Sequence, residues 1–185
     1  GVVKVTKGLT DYLLGEVKSG GKLVAKARQV MPDGTLYTSG WKGEIVKYDP
    51  TVSSPRDRFT TVAEIPAVPE RRLWNRIDEI IEHQGKLYMG SSDGYIFRFD
   101  PATHAVENFG KPIRAIEVMG MAVSPLDGRL YGISGGEEEG ISRFWSMDAS
   151  KGTFEVNYPA ARKFNLKPMA DIVSLEDGTL VMAET

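Results

Sequence analysis

The sequence contains no cysteine, which removes disulfides, Cys-ligated zinc and thiol nucleophiles together. Histidine is nearly absent too, with only His83 and His104 available for general-base or metal-ligand work. No apolar run approaches the ~20 residues a membrane-spanning helix needs, and no charged-then-apolar leader resembles a signal peptide. Neither sign of charge dominates: 23 Lys and Arg face 25 Asp and Glu, a formal net charge of −2. A general nucleic-acid binder needs a basic face to displace counterions from phosphates, so neither a nucleic acid nor a membrane is an expected partner. The P-loop, the dinucleotide glycine run, His-Glu-x-x-His, the nucleophile elbow and Asn-x-Ser/Thr are all missing. A missing cysteine is neutral on compartment, so a soluble cytoplasmic protein and a secreted or periplasmic one with its leader removed both stay open. The chain opens on Gly1 rather than Met, which reads as a processed or excerpted polypeptide.

What is present is a repeated phrase: Asp33-Gly34-Thr35-Leu36-Tyr37, Gln84-Gly85-Lys86-Leu87-Tyr88, Asp127-Gly128-Arg129-Leu130-Tyr131 and Asp177-Gly178-Thr179-Leu180-Val181. Its glycines lie 51, 43 and 50 residues apart. That period is too long for helical hairpin repeats and suits four-stranded propeller blades. With 41% hydrophobic residues, 185 residues suffice for one good core.

Each repeat divides into four strands. A first strand precedes the glycine turn (24–31, 76–83, 116–124, 170–175) and a second follows it (36–39, 87–90, 130–134). The third strands alternate apolar and polar residues, as in Tyr95-Ile96-Phe97-Arg98-Phe99 before the stop signal Asp100-Pro101. Fourth strands are expected at 59–65, 105–109 and 153–156. The expected all-β β-propeller therefore has complete blades at 22–65, 76–109 and 115–157. Residues 1–19 supply a half-blade of third and fourth strands, and residues 170–185 one of first and second strands. Joining the halves would remove exposed sheet edges. A closed four-bladed ring, half of a ring completed by a second copy, and a piece of a longer propeller all follow from this count, with the latter two favoured.

The segments Trp74-Asn75-Arg76-Ile77-Asp78, Gly85-Lys86-Leu87-Tyr88-Met89-Gly90 and Gly94-Tyr95-Ile96-Phe97-Arg98-Phe99-Asp100-Pro101 resemble blades of the loose superfamily that includes streptogramin lyases, Kelch-like proteins and propeller polysaccharide lyases. The resemblance covers nearly the whole chain and implies a propeller fold. The shared positions are those any blade needs, so it implies no catalytic residue. The glycine-histidine and tryptophan-aspartate marks of tryptophan-aspartate repeats are absent, as are the paired glycines that open Kelch repeats.

Ligands in propellers usually sit on the side built by the second-to-third-strand loops and the connectors between blades. The connector Pro69-Glu70-Arg71-Arg72-Leu73-Trp74-Asn75-Arg76 concentrates cations beside an indole, and Trp41-Lys42 lies in the equivalent loop of the preceding blade. Guanidinium forks match carboxylate or phosphate, and tryptophan stacks on sugar rings. Trp41, Arg71, Arg72, Trp74 and Arg76 are therefore the expected ligand-binding residues, for a polar, anionic or saccharide-like small molecule or glycan. A structural alternative has Trp74 plugging the gap between blades.

Asp78 and Asp171 each precede their turn glycine by seven residues, which assigns both to channel-lining strands. A carboxylate pair there could act as a general base or hold calcium, magnesium or manganese, the chemistry of a lyase or hydrolase acting on a polysaccharide or lactone. Ala27 and Met121 at the matching positions break the ring, and hydrogen bonds to neighbouring backbone explain the aspartates equally well. His83 and His104 read as turn residues on the opposite side. Glu137-Glu138-Glu139 lacks the alternate spacing of a calcium loop and reads as solvated. Tyr37, Tyr88 and Tyr131 recur in every blade, as do the aromatics typified by Phe97, Phe99, Phe144 and Trp145, which marks them as packing residues. Ligand binding is the leading functional reading. An enzyme and a scaffold for another protein are the alternatives.

Overall fold

The computed structural model describes residues 27–40, 42–54, 57–68, 76–114, 117–135, 142–157 and 169–184. All fourteen elements among them are strands: β1 Arg28–Val30, β2 Leu36–Ser39, β3 Glu44–Tyr48, β4 Phe59–Glu64, β5 Ile77–His83, β6 Lys86–Ser91, β7 Ile96–Phe99, β8 Val106–Gly110, β9 Val118–Val123, β10 Leu130–Ser134, β11 Arg143–Asp148, β12 Thr153–Asn157, β13 Met169–Ser174 and β14 Leu180–Glu184. They form three antiparallel sheets of four strands in sequence order and one of two, β13–β14. The first strands touch in series, β1 with β5, β5 with β9 and β9 with β13. The architecture is the expected all-β one of successive four-stranded blades arranged as in a propeller. Among the described residues the run of sheets is open. Residues 1–19, the expected N-terminal half-blade, lie outside them.

Packing between blades explains the alternation in each strand. Leu87 and Met89 of β6 join Ile80, Phe97 and Phe99 in one buried layer with Ala27, Tyr37, Ile45 and Ile65 of the first blade. Tyr88 and Ile96 point the other way, into a second layer with Val118, Met121, Leu130, Trp145 and Met147 of the third blade. A third, smaller layer joins Ala122 and Ile133 to Ile172 of β13. The recurrent leucine thus faces the preceding blade and the recurrent tyrosine the following one, as period-two geometry requires.

Close packing, between blades at Gly90 and within one sheet at Gly132, explains particular glycines. A Cβ on Gly90 would lie 2.6 Å from Val118, and one on Gly132 would lie 2.1 Å from the Trp145 ring. Trp145 is fully buried over Gly132, and its indole N–H donates to Ser134 Oγ at 2.9 Å. Tyr37 and Tyr88 are buried, with Tyr37 edge-on to Phe99 at 5.8 Å and Tyr88 stacked on Phe109 at 6.4 Å. Tyr131 is only half-buried. Its hydroxyl donates to Asp127 at 2.7 Å and its ring stacks on Phe144.

Candidate functional site

Strand order sends the first-to-second and third-to-fourth turns to one end of every blade, and the second-to-third loops and connectors to the other. At the turn end, polar side chains are consumed locally. Asp33, Asp127 and Asp177 each accept the N–H two residues on, from Thr35, Arg129 and Thr179 at 2.8, 3.0 and 2.9 Å. Asp49, Asp100 and Asp148 do the same after each third strand, with Thr51, Ala102 and Ser150 at 2.9, 2.9 and 3.0 Å. These are Asx turns, in which a short carboxylate mimics a backbone acceptor. Their pKa values fall accordingly. Asp148 is lowered to about 2, chiefly by the Ser150 hydroxyl. His83 and His104 also lie at this end, His104 with a left-handed backbone at φ 58°.

The loop end is built differently. Arg76 and Glu117 hold the same register position at the start of adjacent blades. The Arg76 carbonyl accepts from Ser92 N–H at 2.8 Å, and the Glu117 carbonyl accepts from Gly135 N–H at 3.2 Å. Ser92 links the two blades: its Oγ accepts from Arg76 N–H at 3.2 Å and its carbonyl from Glu117 N–H at 3.0 Å. Glu117 has φ 68°, a left-handed conformation that costs a residue bearing Cβ about 1 kcal/mol or more.

The Arg76 guanidinium grips Asp78 through Nε at 2.6 Å and Nη2 at 3.4 Å. Asp78 is 2% exposed, whereas the Arg76 side chain remains 35% exposed. The hydrogen bond to Asp78 raises the Arg76 pKa, and the charges of Asp78 and Glu117 add to it while partial burial opposes. A carboxylate beneath an arginine in this way fixes the fork's direction and leaves its remaining N–H groups for an incoming acceptor.

One residue not singled out from the sequence joins this group. Asp93, in the β6–β7 turn beside Ser92, is 2% exposed, and no described residue donates to its carboxylate or pairs with it. In the same turn, Tyr95 N–H donates to Ser91 Oγ at 3.1 Å and the Lys111 ammonium lies 5.1 Å from the centre of the Tyr95 ring. The Asp-Gly pair at 93–94 signals a turn; nothing in the sequence signals that this aspartate is enclosed.

Of the expected ligand-binding residues, only Arg76 is described; Trp41, Arg71, Arg72 and Trp74 lie outside the described residues, as does the Glu137-Glu138-Glu139 loop. The expected equivalence of Asp78 and Asp171 is corrected by the register. The β5–β6 hairpin turns on two residues, with His83 opposite Lys86, while the β13–β14 hairpin turns on five, with Ser174 opposite Leu180. Counting back from the glycine therefore misaligns the blades. Asp78 is the extra residue of a bulge between Ile77 and Glu79, whereas Asp171 pairs with Ala183 and corresponds to Glu79. Asp171 is exposed, its Oδ1 accepts from Ile172 N–H at 2.7 Å, and a Cβ on Gly120 would lie 2.7 Å from that oxygen. Among the described residues no three His, Asp or Glu side chains gather in a way that could hold a metal ion.

No family model and no curated protein sequence matches the chain. Solved structures do, 433 chains of them, so the architecture is widespread and cannot alone point to an activity. One is the extracellular domain of BT4673, assigned as a hybrid two-component system of B. thetaiotaomicron, with a TM-score of 0.66 at 12% identity over 87% of this chain and 20% of that one. A second structure of that extracellular domain, there assigned to a one-component system, matches at 0.63 and 12% over 89% and 20%. An auxiliary nutrient binding protein from Bacteroides thetaiotaomicron matches at 0.59 and 11% over 88% and 36%. This chain thus spans about a fifth to a third of the length of these proteins, and the likeness is one of fold.

Proposed function

We propose that this chain is a propeller-like binding module whose loop end takes a polar small molecule or glycan, in an extracellular or periplasmic setting. The observation that carries the reading is Arg76, held by buried Asp78 while a third of its side chain stays open to solvent. Asp78 aims this guanidinium, and the side chain stays accessible. Trp41, Arg71, Arg72 and Trp74 complete the proposed surface from the adjoining loop and connector. The nutrient-binding name of one structural neighbour and the extracellular position of another agree with this reading by analogy of fold.

The test is capture of neutral and acidic glycans on an array, comparing the parent with Arg72→Ala, Trp74→Ala and Arg76→Ala. Each substitution is expected to weaken capture at least about tenfold, the loss for one charged or stacking contact, with melting temperature little changed for the first two. Undiminished capture in all three variants would return the connector to a purely structural role.

A further inference from the structure

The last sheet has two strands where the other three have four, and no described strand pairs with the outer edge of β14. An edge left so is a template for a further strand. Leu180 and Met182 of β14 hold the repeat positions of Leu87 and Met89 in β6. Met89 lies opposite Phe97 of a third strand and is fully buried, whereas Met182 is 39% exposed. Beside that edge, Tyr131 and Phe144 of the third blade are half-buried, in the layer that also holds Ile172 and Leu180.

The third strands share a phrase of two apolar residues, a polar one and a final apolar one: Ile45-Val46-Lys47-Tyr48, Ile96-Phe97-Arg98-Phe99 and Phe144-Trp145-Ser146-Met147. The final residue pairs with the recurrent leucine, Tyr48 with Leu36, Phe99 with Leu87 and Met147 with Leu130. In the second and third blades the fourth strand then returns seven residues on, so that Phe99 meets Val106 and Met147 meets Phe154. Val2-Val3-Lys4-Val5 repeats the phrase, and Tyr12 follows Val5 at that same spacing of seven.

We propose that residues 2–5 and 12–17 of this chain pair in series with the outer edge of β14, as the third and fourth strands of its sheet, with Val5 opposite Leu180 and Val3 opposite Met182. Both valines then face the third blade, and Lys4 takes the place of Lys47 and Arg98 on the opposite side. A second copy cannot fill this edge with its own β14. Antiparallel pairing of two identical edges puts the two-fold axis normal to the sheet, so the copy's third blade would fall where β11 and β12 of this one already stand. A free segment carries no blade of its own to collide.

Because the chain has no cysteine, an engineered pair reports the register without competition. Val5→Cys with Leu180→Cys, and separately Val3→Cys with Met182→Cys, should oxidise to intrachain disulfides, since directly opposed strand residues bring their Cβ atoms within reach. Lys4→Cys with Met182→Cys, one residue out of register, should lose the link because the two side chains leave the sheet on opposite sides. In the full chain, Val3→Asp should speed hydrogen exchange of the β14 amides about tenfold or more, the cost of a charge set against an apolar layer. The β6 amides should keep their rates, which separates a lost edge from a lost fold. Interchain disulfides in a particle of dimer mass would move the strands to a second copy and overturn the intrachain assignment. Preferential linking of the Lys4 pair would overturn the register. Absence of both expected disulfides, with β14 exchange unmoved by Val3→Asp, would overturn the pairing itself.

Discussion

The two ends of the same strands treat charge in opposite ways. At the turn end, Asp33, Asp127 and Asp177, and again Asp49, Asp100 and Asp148, recur from blade to blade and close their own turns. At the loop end, Arg76, Asp78, Asp93 and Glu117 do not recur: Arg76 and Glu117 carry opposite charges at one register position, and Lys42 stands where the next blade has Asp93. A residue repeated in every blade serves what the blades share, which is folding. A residue found in one blade, enclosed or strained, needs another reason to be there.

Substitutions can break that contrast. The largest effect is expected for Asp78→Ala, which removes the partner that fixes Arg76. Because Arg76 is partly exposed, the loss should be about 1–3 kcal/mol in denaturant unfolding, and ligand capture should fall with it. Next comes Glu117→Gly, where the left-handed backbone predicts a gain of about 1 kcal/mol from relieved strain. A loss instead would mean that the Glu117 side chain contributes more than its backbone costs. Asp93→Asn should stabilise by up to about 1 kcal/mol by removing an enclosed carboxylate that has no donor among the described residues. A clear destabilisation would show that Asp93 serves the fold and belongs with the turn-end aspartates.

The smallest effects belong to the turn end. Asp49→Ala or Asp148→Ala should lower the melting temperature slightly and leave binding untouched, since each carboxylate serves only its own turn. Acid should act on these turns together. Asp33, Asp49, Asp100 and Asp177 are held below the usual carboxylate range, chiefly by Thr35, Thr51, Lys86 and Thr179 respectively. Their stabilisation is present above the ordinary value of 3.8 and is lost as pH falls through the depressed values, down to about 2 for Asp148. A thermal-melt series should therefore decline below about pH 4, and carboxyl NMR should give Asp148 a midpoint near 2.

Much of the fold was legible because its signals are local. The turn glycines, the Leu-Tyr pair and the alternating third strands mark hairpins through φ and period two, and neither depends on distant residues. The role of Tyr37 and Tyr88 could likewise be read from recurrence. The comparison of Asp78 with Asp171 could not, because hairpin length and bulges shift the register without leaving a mark in residue counts from the glycine.

Residue order alone thus set the strand order and which side of each strand is apolar, since these follow from backbone geometry and side-chain alternation over a few residues. Only the packed molecule decided that Asp78 lies beneath Arg76, that Asp93 is enclosed beside Ser92, and that Glu117 is held in a left-handed turn. Arg76 meets Asp78 two residues on but Ser92 sixteen residues on, and no local pattern records which side chains the packed blades will cover.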